Sequence, residues 1–347
     1  MLDFDKKKPV LVTGGSGYLA SWIIKLLLDE NVSVHTTVRD FVNIDYLTEM
    51  KKSSGGNLKI FKANILDPDA FDEAMENCEV VIHTASPFLV GEISNPNDEL
   101  VRPAKEGTIN ILETASRILT VKRVILTSSV SAIYGDAIEI LSVPDFIFTG
   151  KEWNVTSNFS HYPYAYSKTL AEMEAWSFYK KQTQWDMVVM NPGWILGPSL
   201  SKRKDSTSIK IMIQLGNGTY KNGVPEIWYP IVDVRDAAYA HVKAVFTPSV
   251  AGRNILAATE ARIIDIANIL RNHFGDSYPF PRWQIPKPLI WLMAHKYGFT
   301  RKYVQRNVGY KIKVDNLSGS ICMNMLYRPI EHTVIEHFQQ ILADQLI

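Results

Sequence analysis

The sequence predicts an α/β fold, in which a doubly wound parallel sheet carries helices on both faces and a smaller, mainly C-terminal α/β region follows. Three observations predict it. Short apolar, β-branched runs alternate with helical patterns through the first half of the chain, the arrangement that builds βαβ units. The first run, Val10-Leu-Val12, is continuously apolar, as in a strand covered on both faces. The turn Thr13-Gly-Gly-Ser-Gly-Tyr-Leu-Ala20 follows at once, and Leu19, Ile23, Ile24, Leu27 and Leu28 then recur at helical spacing.

The later elements follow in order. A strand is expected over 32–38, a helix over 43–52, a strand over 58–63 and a short helix over 69–75. A fourth strand spans 79–84, a long helix 98–119 and a fifth strand 121–128. Crossovers between such parallel strands are right-handed. Residues 136–160 are polar and broken by Pro144 and Gly150, so they read as loops over the sheet edge. Pro163 suits the first turn of a strong helix over 164–181. A sixth strand over 185–190 ends at Asn191-Pro-Gly193, and residues 199–208 read as a polar, charged, mobile loop. A late strand near 254–258 can return to the main sheet, and 263–274 reads as a helix. No internal repeat interrupts this order. A soft boundary falls near Gly197, giving a first region of 1–197 and an interleaved second region of 198–347.

Composition excludes several function classes. The formal net charge of +1 over 347 residues gives no broad electrostatic case for nucleic acid or an acidic membrane. Two cysteines, Cys78 and Cys322, exclude a disulfide framework and suit a reducing compartment. The N-terminal residues lack the apolar core of a signal peptide, and no apolar run reaches membrane-spanning length. A cytoplasmic location is the expectation. The eight histidines show no ligand spacing, so no metal site is expected.

Two clusters carry chemistry. Gly14, Gly15 and Gly17 let a backbone turn approach a ligand closely, and the helix that follows aims its free N–H groups at that turn. This is an anion site suited to a dinucleotide diphosphate. In Tyr164-Ala-Tyr-Ser-Lys168, Tyr164 and Lys168 lie four apart and share a helix face. An ammonium there favours the phenolate and lowers a phenol pKa from roughly 10, which lets Tyr164 serve as general acid and base. Ser129, at the end of the fifth strand, can polarise a carbonyl oxygen beside Tyr164; Ser128 and Ser131 are rivals for that role. Taken singly, a tight strand–helix turn, a snorkelling lysine and a hydroxyl strand cap explain each piece. Their order along the chain favours the joint functional reading.

With these residues in hand, the chain resembles the extended short-chain dehydrogenases/reductases, closest to the dihydroflavonol-4-reductase-like group. The resemblance rests on the glycine turn, Thr37-Val-Arg-Asp40, Val81-Ile-His-Thr-Ala-Ser-Pro87 and Gly107-Thr-Ile-Asn110. It rests further on Leu126-Thr-Ser-Ser129, the run from Tyr164 to Glu172, Asn191-Pro192 with Gly197-Pro198, and Asp233-Val-Arg-Asp-Ala237. It implies a Rossmann-type fold, a coenzyme-binding first region carrying catalytic Ser129, Tyr164 and Lys168, and a substrate-binding second region. It implies coenzyme contacts from Thr13, Gly14, Gly15, Ser16, Gly17, Tyr18, Leu19, Arg39, Asn64, Ile65, Thr84, Ala85 and Ser86. Tyr164, Lys168, Pro192, Gly193 and Ile195 complete that set. Arg39, at the end of the second strand, suits a ribose 2′-phosphate, which favours NADP(H) with NAD(H) possible. Phe88, Ser129, Tyr134, Tyr164 and Trp194 are implied for an apolar or aromatic carbonyl substrate, with Tyr220, Trp228 and Tyr229 as further wall candidates. Tyr134 stands where plant dihydroflavonol reductases carry an asparagine, against a flavonoid substrate. The expected activity is reduction of a ketone or aldehyde by a monomer or homodimer. The competing expectations are a nucleotide-sugar epimerase or dehydratase, an NAD-dependent steroid or sterol dehydrogenase, and a dinucleotide-sensing regulator.

Overall fold

The computed structural model describes residues 4–85 and 95–347. Ser86 and Phe88 lie outside the described residues. Along the chain run β1 (Val10–Thr13), α1 (Tyr18–Asp29), β2 (Val34–Val38), α2 (Asp45–Ser53), β3 (Leu58–Lys62), α3 (Asp72–Met75) and β4 (Val80–His83). A π-helical turn, Asn97–Val101, leads into α4 (Arg102–Arg117), where Pro103 occupies the first turn and its missing N–H costs nothing. Next come β5 (Arg123–Thr127), three short 3₁₀ turns between Val130 and Phe146, α5 (Pro163–Tyr179) and β6 (Asp186–Pro192). The second part holds β7 (Trp194–Leu196), α6 (Thr207–Gly216), β8 (Val224–Pro225), β9 (Trp228–Asp233), α7 (Val234–Phe246), β10 (Gly252–Leu256), β11 (Thr259–Arg262) and α8 (Ile263–Phe274). A last long helix spans Ile330–Ala343.

The main sheet has seven strands in the order β3-β2-β1-β4-β5-β6-β10, every neighbour parallel. Side chains alternate between its faces with period two. Val10, Val12, Val80, Ile82, Ile125 and Val188 pack with Ile23, Ile24 and Leu27 of α1 and Ala237, Ala240 and Ala244 of α7. Leu11, Val81, Val124, Leu126 and Val189 face the other way, onto Ile111, Leu112 and Ala115 of α4 and Ala175 of α5. The fold is thus a doubly wound Rossmann-type sheet, with β10 as an added seventh strand.

Three differences from the sequence-based expectation have physical causes. A small sheet in the order β11-β9-β7 has no counterpart in that expectation; its strands are short and broken by Pro230, Gly193 and Gly197, and their aromatics hide the alternation. The polar loop expected over 199–208 ends two residues early, because α6 begins at Thr207 and buries Ser208 and Ile209. Residues 136–160 keep short helical turns rather than plain loop, anchored by buried Asp136.

The glycine turn is fixed by sterics. A Cβ on Gly15 would lie 2.1 Å from Thr36 Oγ1, and that hydroxyl already donates to the Val12 carbonyl at 2.7 Å. Gly15→Ala therefore overpacks the β1–β2 junction and is expected to cost about 1–3 kcal/mol. Urea unfolding of the coenzyme-free protein measures it, and unchanged stability would contradict this packing.

Candidate active site

The carboxyl ends of β1, β4, β5 and β6 open on one edge of the sheet, where α5 crosses. The glycine turn forms one side. Gly14 has φ +70°, open to glycine at no strain, and a Cβ there would meet Ala85 Cα at 3.1 Å. A Cβ on Gly17 would lie 2.9 Å from the Gly14 carbonyl. Gly14 and Gly15 donate to Thr37, at 3.2 Å to its hydroxyl and 2.8 Å to its carbonyl. α1 then starts at Tyr18 with no side-chain cap, so its first-turn N–H groups suit an anion.

Thr13 links this turn to β4. Its hydroxyl pairs with His83 Nδ1 at 2.8 Å and accepts from the Thr84 and Ala85 N–H groups at 3.2 and 3.1 Å. Burial, with the Lys168 charge adding to it, pushes the His83 pKa down to about 3, so the ring is neutral. Among the described residues no cluster of His, Cys, Asp and Glu could hold a metal. On the far side of the turn, Tyr18 donates to the Gly197 carbonyl and Trp22 Nε1 to the Pro198 carbonyl at 2.8 Å.

Ser129 and Tyr164 meet. The Ser129 side chain hydrogen-bonds the Tyr164 phenol and accepts from the Ser131 N–H at 3.1 Å. The rival serines are engaged elsewhere: Ser128 donates to Glu172 at 2.5 Å, and Ser131 bonds the Tyr162 phenol. Tyr162 precedes α5 at φ 59° and ψ 58°, a left-handed and strained conformation for a tyrosine. Burial raises the Tyr164 pKa, the neighbouring Tyr162 raises it further, and the Ser129 bond opposes both. This corrects the lowering expected from Lys168: burial is the largest cause and its direction is upward.

Lys168 lies one turn along the same helix, in a pocket lined by His83, Ala85, Thr108, Leu126, Ser128 and Glu172. Burial pushes its pKa down to about 8 against the pull of Glu172. Among the described residues its ammonium has no hydrogen bond or ion pair. A buried ammonium with no hydrogen bond among the described residues, at the sheet edge where the glycine turn also opens, fits a dinucleotide ribose and diphosphate.

Other predicted residues are placed as follows. Arg39 directly follows β2 and is exposed. The Asn64 amide closes a turn onto Asp67 at 3.0 Å, and Ile65 packs on Gly107. Pro192 ends β6, the Gly193 N–H donates to the Leu256 carbonyl at 2.9 Å, and Ile195 lies in β7. Tyr134 stacks on Phe148 at 4.5 Å, and Trp194 meets Tyr229 edge-on at 5.2 Å while donating to Ser208. Tyr162, Tyr229 and Tyr303 share electrostatic contact with Tyr134, so four phenols gather beside the Ser129–Tyr164 pair. Tyr220 instead bonds Gln214, and Trp228 lies between the Arg262 and Lys311 cations.

Sequence reasoning gave no role to Glu172 or Arg253. The Glu172 carboxylate is buried and takes bonds from Ser128, Asn191 at 2.8 Å and Arg253 at 2.5 Å. Its place four residues beyond Lys168 was the available signal.

Comparisons with known proteins show what the chain is similar to. Residues 10–256 match the NAD dependent epimerase/dehydratase family. The chain is 36% identical over 283 residues to cinnamoyl-CoA reductase CAD2 of Medicago truncatula, covering 80% of this chain and 82% of that protein. It is 35% identical over 312 residues to tetraketide alpha-pyrone reductase 1 of Arabidopsis thaliana, covering 88% and 91%. The solved structure of Gre2 in complex with NADPH from Candida albicans superposes with a TM-score of 0.78 at 24% identity, covering 97% of this chain and 99% of that one.

The buried Lys168 charge has a stability consequence. Its pKa is lower in the folded chain than the ordinary 10.5, so between about 8 and 10.5 the unfolded chain binds more protons. Its penalty is full below about pH 8 and fades as pH rises to 10.5. Lys168→Met is expected to melt higher than the parent at pH 7 without coenzyme, with the gap closing by pH 10.5. A lower melting temperature at pH 7 would contradict the buried, unpaired ammonium.

Proposed function

The chain belongs to the NAD-dependent epimerase/dehydratase family, in its dihydroflavonol-4-reductase-like group of extended short-chain dehydrogenases/reductases, and from that membership we propose that it is an NADP(H)-dependent reductase of a ketone or aldehyde. It is an NAD(P)-dependent oxidoreductase; the substrate, the coenzyme preference and the residue roles are this reading. The observation that carries it is the Ser129–Tyr164 hydrogen bond, one helical turn from the unpaired Lys168 ammonium.

When bound, the nicotinamide supplies the hydride. Residues 13–19 would hold the diphosphate, Arg39 the 2′-phosphate, and Asn64 and Ile65 would flank the adenine. Thr84, Ala85, Pro192, Gly193 and Ile195 would flank the nicotinamide half, and Lys168 would hold its ribose. Ser129 would orient the carbonyl oxygen by donating to it. Tyr164 would give its phenol proton to that oxygen as negative charge develops there. Its raised pKa serves this direction, since it keeps the phenol protonated at neutral pH. After transfer, the Lys168 ammonium would offset the phenolate until a solvent proton returns.

Relatives named for reducing cinnamoyl-CoA, tetraketide alpha-pyrone and anthocyanidin support a bulky carbonyl substrate. The phenols of Tyr134, Tyr162, Tyr229 and Tyr303, with Trp194, form walls suited to an aromatic ring bearing polar groups. Residues 1–197 would supply the coenzyme half together with Tyr134, Tyr162 and Trp194, and 198–347 would add Tyr229 and Tyr303 to the walls.

Tyr164→Phe tests the reading. Loss of the proton donor is expected to lower kcat by about 10²–10⁴, while NADPH binding, followed by quenching of protein fluorescence, stays close to the parent. Retained turnover would refute the role of Tyr164, and lost NADPH binding would assign it to coenzyme affinity alone.

A further inference from the structure

We propose that Arg203 is a second coenzyme-selecting guanidinium, which with Arg39 brackets the 2′-phosphate of NADP(H), and that Asp205 holds the phosphate's place between them. This rests on the coenzyme reading above and adds a residue from the opposite lobe.

The segment between β7 and α6, Ser199-Leu-Ser-Lys-Arg-Lys-Asp-Ser206, has the composition of a solvated loop. The Arg203 side chain nevertheless keeps only 18% of its exposure, while that of Asp205 keeps 69%. Arg203 is covered because it lies across the glycine turn, where Nη1 donates to the Ser16 carbonyl at 3.0 Å. Its Nε and Nη2 grip Asp205 as a fork, at 2.7 and 2.9 Å. The root of the segment is fixed, since Tyr18 and Trp22 of α1 hold the Gly197 and Pro198 carbonyls.

Two further groups, Arg39 and Tyr46, converge here. The Asp205 carboxyl is held below its ordinary pKa by Arg203 first, and Arg39 contributes through space. Burial pushes the Tyr46 phenol up to about 12, and it senses Arg203 and Asp205 with opposite sign. Tyr46 also lies over the glycine turn, its hydroxyl 3.5 Å from the Gly15 carbonyl. The end of β2, the start of α2, the glycine turn and the Arg203 loop therefore share one corner. That corner is where a doubly wound fold reads the adenosine ribose.

A carboxylate drawn on by two guanidiniums matches the chemistry of a phosphate dianion. Planar guanidinium forks bind both groups in the same way, and the phosphate offers more charge and a third oxygen. An exposed carboxylate is weakly held, so exchange costs little. An uncharged ribose 2′-hydroxyl offers Arg203 no such exchange. The loop would thus discriminate between the two dinucleotides through one arginine.

Equilibrium binding of NADPH and NADH to the full chain tests this. Arg203→Ala should weaken NADPH by about tenfold or more, and NADH by no more than about twofold. Asp205→Asn should move the other way and tighten NADPH a few-fold, because it removes a competing acid from between two cations. Equal weakening of both dinucleotides by Arg203→Ala would overturn the proposal and make Arg203 a brace for the turn. Weaker NADPH binding in Asp205→Asn would overturn it too, by making Asp205 the holder of Arg203. If the parent binds neither dinucleotide, the coenzyme reading falls as well; if it binds both and the variants match it, only the Arg203 assignment falls.

Discussion

The buried carboxylate of Glu172 is the constraint on which the site depends. It lies two turns beyond Tyr164 and one beyond Lys168, so whatever fixes it fixes the roll of α5. Its partners come from the ends of three strands: Ser128 after β5, Asn191 in β6 and Arg253 in β10. Arg253 in turn donates to the carbonyls of Gly150 and Ala132 and stacks on the Trp153 ring at 4.0 Å. The irregular segment that carries Ser129, Ser131 and Tyr134 is thereby stapled to the same hub. A desolvated ion pair is stable only when its remaining hydrogen-bonding capacity is met. The network therefore holds as a unit, and β10 helps hold the candidate site although it lies late in the chain.

The opposite side of the site relies on neutral bonds. Thr13 and buried His83 tie β1 to β4, and the uncapped first turn of α1 beyond the glycines is left to face an anion. Beyond the Glu172–Arg253 hub, two charged features bear on the proposed coenzyme site. Lys168 is buried with only the through-space pull of Glu172 to offset its charge, which costs stability in the coenzyme-free protein and leaves the ammonium available to a ligand. At the rim, Arg39, Arg203 and Asp205 form a solvent-facing cluster whose composition differs from the dry interior. In the proposed reading the first feature serves chemistry and the second serves recognition.

Most of the main sheet was legible in the sequence because its strands are apolar on both faces and set apart by helices of ordinary length. Strands β7, β9 and β11 were not, because they form a short sheet in which aromatics and prolines replace alternation. The Tyr164–Lys168 pair was legible from its four-residue spacing, which needs only one regular helix. The resemblance puts Ser129 ahead of Ser128 and Ser131; spacing alone could not separate them, since that depends on which hydroxyl Glu172 and Tyr162 engage. The direction of the Tyr164 pKa was misjudged because spacing reports a neighbouring charge and says nothing of burial. Arg203 was read as solvated for the same reason: its cover comes from a turn far earlier in the chain.

The central claim is that Tyr164 and Lys168 face the nicotinamide end of a dinucleotide whose diphosphate rests on residues 14–19. A crystal structure with NADPH tests it most directly. The account predicts the diphosphate against the first turn of α1, the nicotinamide ribose within hydrogen-bonding distance of Lys168 Nζ, and the Tyr164 hydroxyl opening toward the nicotinamide. A dinucleotide bound elsewhere, or a Tyr164 phenol turned away from the nicotinamide, would contradict it.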